Sequence, residues 1–151
     1  MGYDMSAARL YISKSDGTVF DLQLRPSITI IRGDSGTGKT RLCSLIETMQ
    51  DINNPALGVD DVSNILLVTD EKSLKEALDS SGKLIIIDYA DDILNADSAE
   101  VERINQDTAN HYLIFARRTL GFKVTPNYVG DFIREGTTVR IKYMSDTRGW
   151  F

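Results

Sequence analysis

Ser27-Ile28-Thr29-Ile30-Ile31-Arg32, Gly33-Asp34-Ser35-Gly36-Thr37-Gly38-Lys39-Thr40 and Arg41-Leu42-Cys43-Ser44-Leu45-Ile46 follow one another without a break, and this stretch decides the reading. A β-branched apolar run feeds a glycine-rich loop, and the loop opens a segment of helical periodicity. The loop matches G-x-x-x-x-G-K-[ST] at every fixed position. Its glycines let consecutive backbone N–H groups turn inward around an anion. The helix that follows points unpaired N–H groups and the positive end of its dipole at the same place. Lys39 adds a full positive charge for the β- and γ-phosphates of a nucleotide, and the Thr40 hydroxyl is placed to ligate Mg²⁺. The expected nucleotide-binding residues are therefore Gly33, Asp34, Ser35, Gly36, Thr37, Gly38, Lys39, Thr40 and Arg41.

A second stretch answers the first. Lys83-Leu84-Ile85-Ile86-Ile87-Asp88 is an apolar run ending in a carboxylate, the Walker B pattern, in which a buried strand delivers an acid beside the phosphate loop. Asp88 joins Thr40 as an expected Mg²⁺ ligand. Between them the chain alternates. A helix is expected from about Lys39 to Gln50, with Leu42, Cys43, Leu45, Ile46 and Met49 on its apolar face, then a polar loop from Asp51 to Asp61. The run at 64–69 reads as a strand buried on both faces. Asp70 caps a helix over Glu71 to Ser80, and Gly82 ends it.

Further on, Asp97 with Glu100 has the spacing of a capping box for a helix from about Ser98 to Ala109. Tyr112 to Ala116 is another buried strand, Tyr128 to Arg134 reads as a short helix, and Thr137 to Tyr143 alternates as an edge strand. Ahead of the phosphate loop, Arg9 to Ser13 and Val19 to Leu24 form a hairpin around Ser15-Asp16-Gly17. The only histidine, His111, has no second imidazole or cysteine beside it and reads as structural.

The two motifs and the strand–helix alternation resemble the P-loop NTPase family. The resemblance implies an α/β three-layer sandwich with a mostly parallel five-stranded sheet of strands 28–32, 64–69, 84–88, 111–116 and 137–144. The ABC, SMC and AAA-type branch would set these in spatial order 5-1-4-3-2, with the N-terminal β-hairpin resembling the antiparallel strands of ABC and SMC heads. Departures from that branch are plain. Only 48 residues separate Lys39 from Asp88, no LSGGQ-like signature or Q-loop is found, and Tyr89 stands where those heads carry a glutamate. Asp91 and Asp92 lie one turn further; Asp91 is the candidate for orienting water, or else caps a helix. Arg117, with Arg118, occupies the place of a polar sensor residue after the fourth strand, where an arginine can stabilise transferring phosphoryl charge. Lys39, Asp88, Asp91 and Arg117 are thus the candidate catalytic residues.

Bulk properties bound the rest. A length of 151 residues with 42% hydrophobic content suits a single domain over 1–151. No apolar run is long enough to span a bilayer and no signal-peptide pattern is seen, so a cytoplasmic protein without membrane insertion is expected. One cysteine, Cys43, excludes an intramolecular disulfide. Met1 to Asn110 carries 10 basic and 19 acidic residues, whereas His111 to Phe151 carries 7 basic and 3 acidic. That basic end suits the triphosphate, an acidic partner or nucleic acid.

The expected cofactors are ATP (or ADP) and Mg²⁺, since no Asn-Lys-x-Asp guanine-reading pattern is present. Three functions follow: an ATP hydrolase that uses nucleotide state to control a protein partner or self-association, a nucleotide-binding module with little turnover, and a small-molecule kinase.

Overall fold

The computed structural model describes residues 2–32, 38–52, 61–95 and 98–146. Nine strands form one sheet through them: β1 (Gly2–Asp4), β2 (Arg9–Ser13), β3 (Val19–Gln23), β4 (Ile28–Ile31), β5 (Ile65–Val68), β6 (Leu84–Ile87), β7 (His111–Phe115), β8 (Val129–Glu135) and β9 (Thr138–Tyr143). Four helices accompany them: α1 (Lys39–Ile52), α2 (Glu71–Leu78), α3 (Ala90–Ile93) and α4 (Ala99–Gln106). The spatial order is β1-β2-β3-β9-β8-β4-β7-β6-β5.

This corrects the expected parallel five-stranded sandwich. The sheet is mixed and nearly closed on itself. β1, β2 and β3 pair antiparallel, β3 pairs parallel with β9, and β9 pairs antiparallel with β8. From β8 onward the pairs β8–β4, β4–β7, β7–β6 and β6–β5 are all parallel. The two ends of the sheet then meet. Gly2 bridges Asp61, just ahead of β5, and the Asn64 side-chain amide donates to the Tyr3 carbonyl at 2.9 Å.

In the hairpin β2 has the expected limits and β3 ends one residue early, at Gln23, and the hairpin is built into the sheet rather than appended to it. The larger difference lies at the other side of β4. Its neighbour is β8, from the segment whose spacing suggested a helix, and the 137–144 segment sits one place further out as β9. Over seven residues a period of 3.6 and a period of 2 are hard to separate. Two local facts favour the strand. Gly136 adopts φ +63° and closes a tight turn that pairs Glu135 with Thr138. Gly130 lies so close to β9 that a Cβ there would stand 2.7 Å from the Lys142 carbonyl oxygen.

Strand alternation sorts the core onto two faces. Leu84, Ile86, Leu113, Phe115 and Ile31 face the inside of the curl with Leu10, Ile12, Phe20 and Leu22, and α1 packs there through Leu42 and Ile46. Ile85, Ile87, Tyr112, Ile114, Ile28 and Ile30 face outward beneath Leu74, Ala77 and Leu78 of α2, Ala90 of α3, and Val101 and Ile104 of α4. Strands covered on both faces read as continuous apolar runs, which is why β4, β6 and β7 were legible.

The Asp70 side chain accepts from the Ser73 amide at 2.7 Å and caps α2, a contact worth about 1 kcal/mol. Ser98 caps α4 by accepting from Val101; Asp97 lies outside the described residues, as does residue 53–60 of the expected loop. Among the described residues no helix is long and apolar enough to cross a membrane.

His111 supports the seam. The Tyr3 hydroxyl meets its Nδ1 at 2.5 Å, and the two rings pack edge to face. Burial lowers the His111 pKa below its ordinary value. The folded state therefore favours neutral imidazole, so this contribution to stability is present above about pH 6.5 and lost as pH falls. Urea unfolding between pH 7.5 and 5.5 is expected to show a falling midpoint that His111→Gln flattens; parallel slopes in both proteins would contradict it. Gly130→Ala is expected to cost about 1–3 kcal/mol through overpacking against β9, read as a lowered urea midpoint, and an unchanged midpoint would disprove the close approach.

Candidate functional site

Buried on all four residues, β4 runs between β7 and β8 and carries the chain to the phosphate-loop motif. Gly33, Asp34, Ser35, Gly36 and Thr37 lie outside the described residues. The structure resumes at Gly38, whose φ of +106° is a backbone conformation that favours glycine. Its carbonyl accepts the Leu42 amide at 2.9 Å and starts α1. Lys39 and Thr40 open the helix, and Leu42 and Ile46 bury its inner face completely. Anchoring that face leaves Thr40 and Arg41 exposed at the N-terminal end.

Beside α1 lies a cleft of about 190 Å³. Thr40, Ser44 and Glu47 line it from the helix, Thr69 from the end of β5, and Asp88 and Tyr89 from the end of β6. The structure thus brings Thr40 and Asp88, the two expected metal ligands, to one cavity. The Asp88 amide donates to the Val68 carbonyl at 2.9 Å, which pins its backbone to the end of the β5–β6 ladder. Its Oδ1 accepts the Tyr89 amide at 2.9 Å. A hydroxyl and a carboxylate are hard oxygen donors of the kind Mg²⁺ takes while keeping several waters. The donor set fits that ion. No group of three or more His, Cys, Asp or Glu side chains arranged to hold a metal occurs among the described residues, so any ion here would depend on water and ligand oxygens for most of its shell.

Cys43 also borders the cleft. Burial, and then the charges of Asp88 and Glu47, push its thiol up to about 12. The cleft is therefore acidic, with two carboxylates close enough to act on one sulfur. Glu47 and Ser44 were not singled out in the sequence. Their signal was there, because positions 40, 44 and 47 share one face of a helix.

Asp91 and Arg117 lie elsewhere. Neither borders the cleft. The Asp91 Oδ2 accepts the Arg117 backbone amide at 2.8 Å, and its Oδ1, shielded from water, lies 3.5 Å from Arg118 Nε. This arrangement ties α3 to the end of β7. Asp91, three residues on from Asp88, is thus joined to the Arg117 backbone rather than to the cleft. Arg140, another cation of the basic C-terminal segment, is engaged with Asp21 at 2.9 Å and Glu135 at 3.3 Å.

Tyr89 is unusual on two counts. Its φ of 55° and ψ of 38° are left-handed, a conformation that costs a non-glycine residue roughly 1–2 kcal/mol. It is also 61% exposed, so its ring recovers little of that cost by burial.

Comparison of the chain with protein-family models, curated proteins and solved structures finds no match.

Cys43 is expected to react slowly with a thiol reagent at pH 8, far slower than in the urea-unfolded chain, because the thiolate is the reactive form. Equal rates in folded and unfolded protein would contradict the acidic, enclosed setting.

Proposed function

We propose that this chain binds ATP with Mg²⁺ at the α1 end of the cleft, and hydrolyses it to control contact with a protein partner or a second copy of itself. One observation carries the reading. Thr40 closes the phosphate-loop motif, Asp88 closes the apolar run of β6, and these two residues, 48 apart in sequence, line the same cavity. In this reading Lys39 and the first-turn amides of α1 bind the phosphates. Thr40 and Asp88 hold the cation, which when bound supplies charge neutralisation at the transferring phosphoryl group. Asp34, Ser35 and Thr37, with Gly33, Gly36 and Gly38, complete the cradle, and Arg41 flanks it.

A cytoplasmic setting belongs to the same proposal. The basic C-terminal segment serves the phosphates, an acidic partner or nucleic acid, through cations other than Arg140, which is paired with Asp21 and Glu135.

A second reading, a nucleotide-binding module with little turnover, is favoured by Asp91. Its carboxylate is engaged by the Arg117 amide and Arg118 rather than turned to the cleft. In the hydrolase reading Asp91 holds Arg117 in place, and Asp88 is the carboxylate nearest the phosphates.

Phosphate release from ATP in the presence of Mg²⁺ is expected of the wild type and is expected to fall at least about tenfold in Lys39→Ala. A rise in melting temperature with ATP but no release would select the low-turnover module. No binding and no release would overturn both readings. Separately, Asp88→Asn is expected to weaken Mg²⁺-dependent ATP affinity about tenfold, roughly 1.4 kcal/mol, measured by calorimetry. Unchanged affinity would remove Asp88 from the cation site.

A further inference from the structure

Tyr89 sits at the junction of three constraints. Ahead of it, Asp88 is fixed to the sheet by the hydrogen bond from its amide to Val68. Behind it, α3 is fixed by two anchors: Ala90 is fully buried, and the Asp91 carboxylate accepts the Arg117 amide. At Tyr89 itself, the carbonyl accepts the Asp92 and Ile93 amides at 2.9 and 3.1 Å, which begins the helix.

The strand end and the helix start are therefore both tied to the sheet, and the chain passes from one to the other in a single residue. A left-handed backbone makes that passage while the 88–89 peptide keeps its N–H on Asp88 Oδ1. With a negative φ at residue 89, the same endpoints can be joined only if that peptide plane rotates. The rotation would take the N–H off the carboxylate. Strained backbone of this kind persists where the surroundings over-determine it, and it concentrates at functional sites.

We propose that Tyr89 is a positioning residue for the cation held at Asp88, acting through its left-handed backbone and not through its ring. The Tyr89 amide occupies Oδ1, which fixes the carboxylate's rotamer. Oδ2 has no protein hydrogen-bond partner among the described residues and is the oxygen left for the ion. The inference rests on the Mg²⁺–ATP reading of this cleft.

Substitutions separate backbone from ring. Glycine and asparagine take the left-handed conformation readily, and a β-branched residue does so worst. ATP affinity is to be measured by calorimetry with Mg²⁺ and with EDTA, in wild type, Tyr89→Gly, Tyr89→Asn and Tyr89→Val. The gain in affinity due to Mg²⁺ is expected to stay within about twofold of wild type in the Gly and Asn variants and to fall about tenfold or more in Tyr89→Val. ATP affinity in EDTA is expected to be the same in all four, which also reports that each variant is folded. If Tyr89→Val does not fold, Tyr89→Ala takes its place, with a loss in the same direction expected. A full Mg²⁺ gain in the Val or Ala variant would overturn the proposal, and so would an equal loss in the Gly and Asn variants, since that would assign the role to the ring. A wild type that binds ATP with no gain from Mg²⁺ would overturn the cation site itself, a failure distinct from either of these.

Discussion

The packing of α1 inside the curled sheet is the constraint on which the rest depends. Leu42 and Ile46 are fully buried and share one apolar cluster with Phe20, Leu22, Ile86 and Leu113, residues contributed by strands from both halves of the sheet. A helix held on two sides has little freedom to slide or tilt. Its first turn is consequently fixed where β4 ends, and Thr40, Ser44 and Glu47 are fixed along the wall of the cleft that Asp88 closes. Removing one such leucine would cost a few kcal/mol in a typical core, and here it would also loosen the wall of the site.

The curl follows from the same packing. A flat nine-stranded sheet would leave one face of β2, β3 and β9 without a cover, because the other helices lie on the opposite face of β4, β6 and β7. Bending around α1 gives the N-terminal strands a buried side. It also brings β1 to Asp61, so the two ends of the sheet protect each other. The solvent side of these strands is polar. Asp21 there is held below the usual carboxylate range by Arg9, to which it is hydrogen-bonded, with Arg140 adding to the effect. Such exposed pairs contribute little to stability, and they keep that face from being apolar.

Much of this was legible in the sequence, and the reasons differ from element to element. β4, β6 and β7 announced themselves as continuous apolar runs because both faces are covered. Asp70 was readable as a cap because capping is local chemistry between residues three apart. That Thr40 and Asp88 line one cleft agrees with the placement the two motifs suggested.

The misreadings have a common cause, which is that non-local partners decided them. Tyr128 to Arg134 carries a pattern short enough to suit a helix, and pairing with β9, close at Gly130, and with β4 makes Val129 to Glu135 a strand. β1 is three residues long and is stabilised by β2 and by Asn64, neither visible from its own composition. Asp91 looked equally suited to water or to a cap, and its partner turned out to be a backbone amide 26 positions away. The closure of the sheet, which displaced the expected sandwich, is a property of the whole chain and of no single stretch.

A crystal structure of the protein with a non-hydrolysable ATP analogue and Mn²⁺, located by its anomalous signal, would test the central claim most directly. The expected result is polyphosphate density at the N-terminus of α1, with the ion about 2.1–2.2 Å from the Thr40 hydroxyl oxygen and coordinated by Asp88, directly or through one water. An ion or nucleotide bound away from the cleft between α1 and β6, or neither bound at millimolar concentrations, would contradict it.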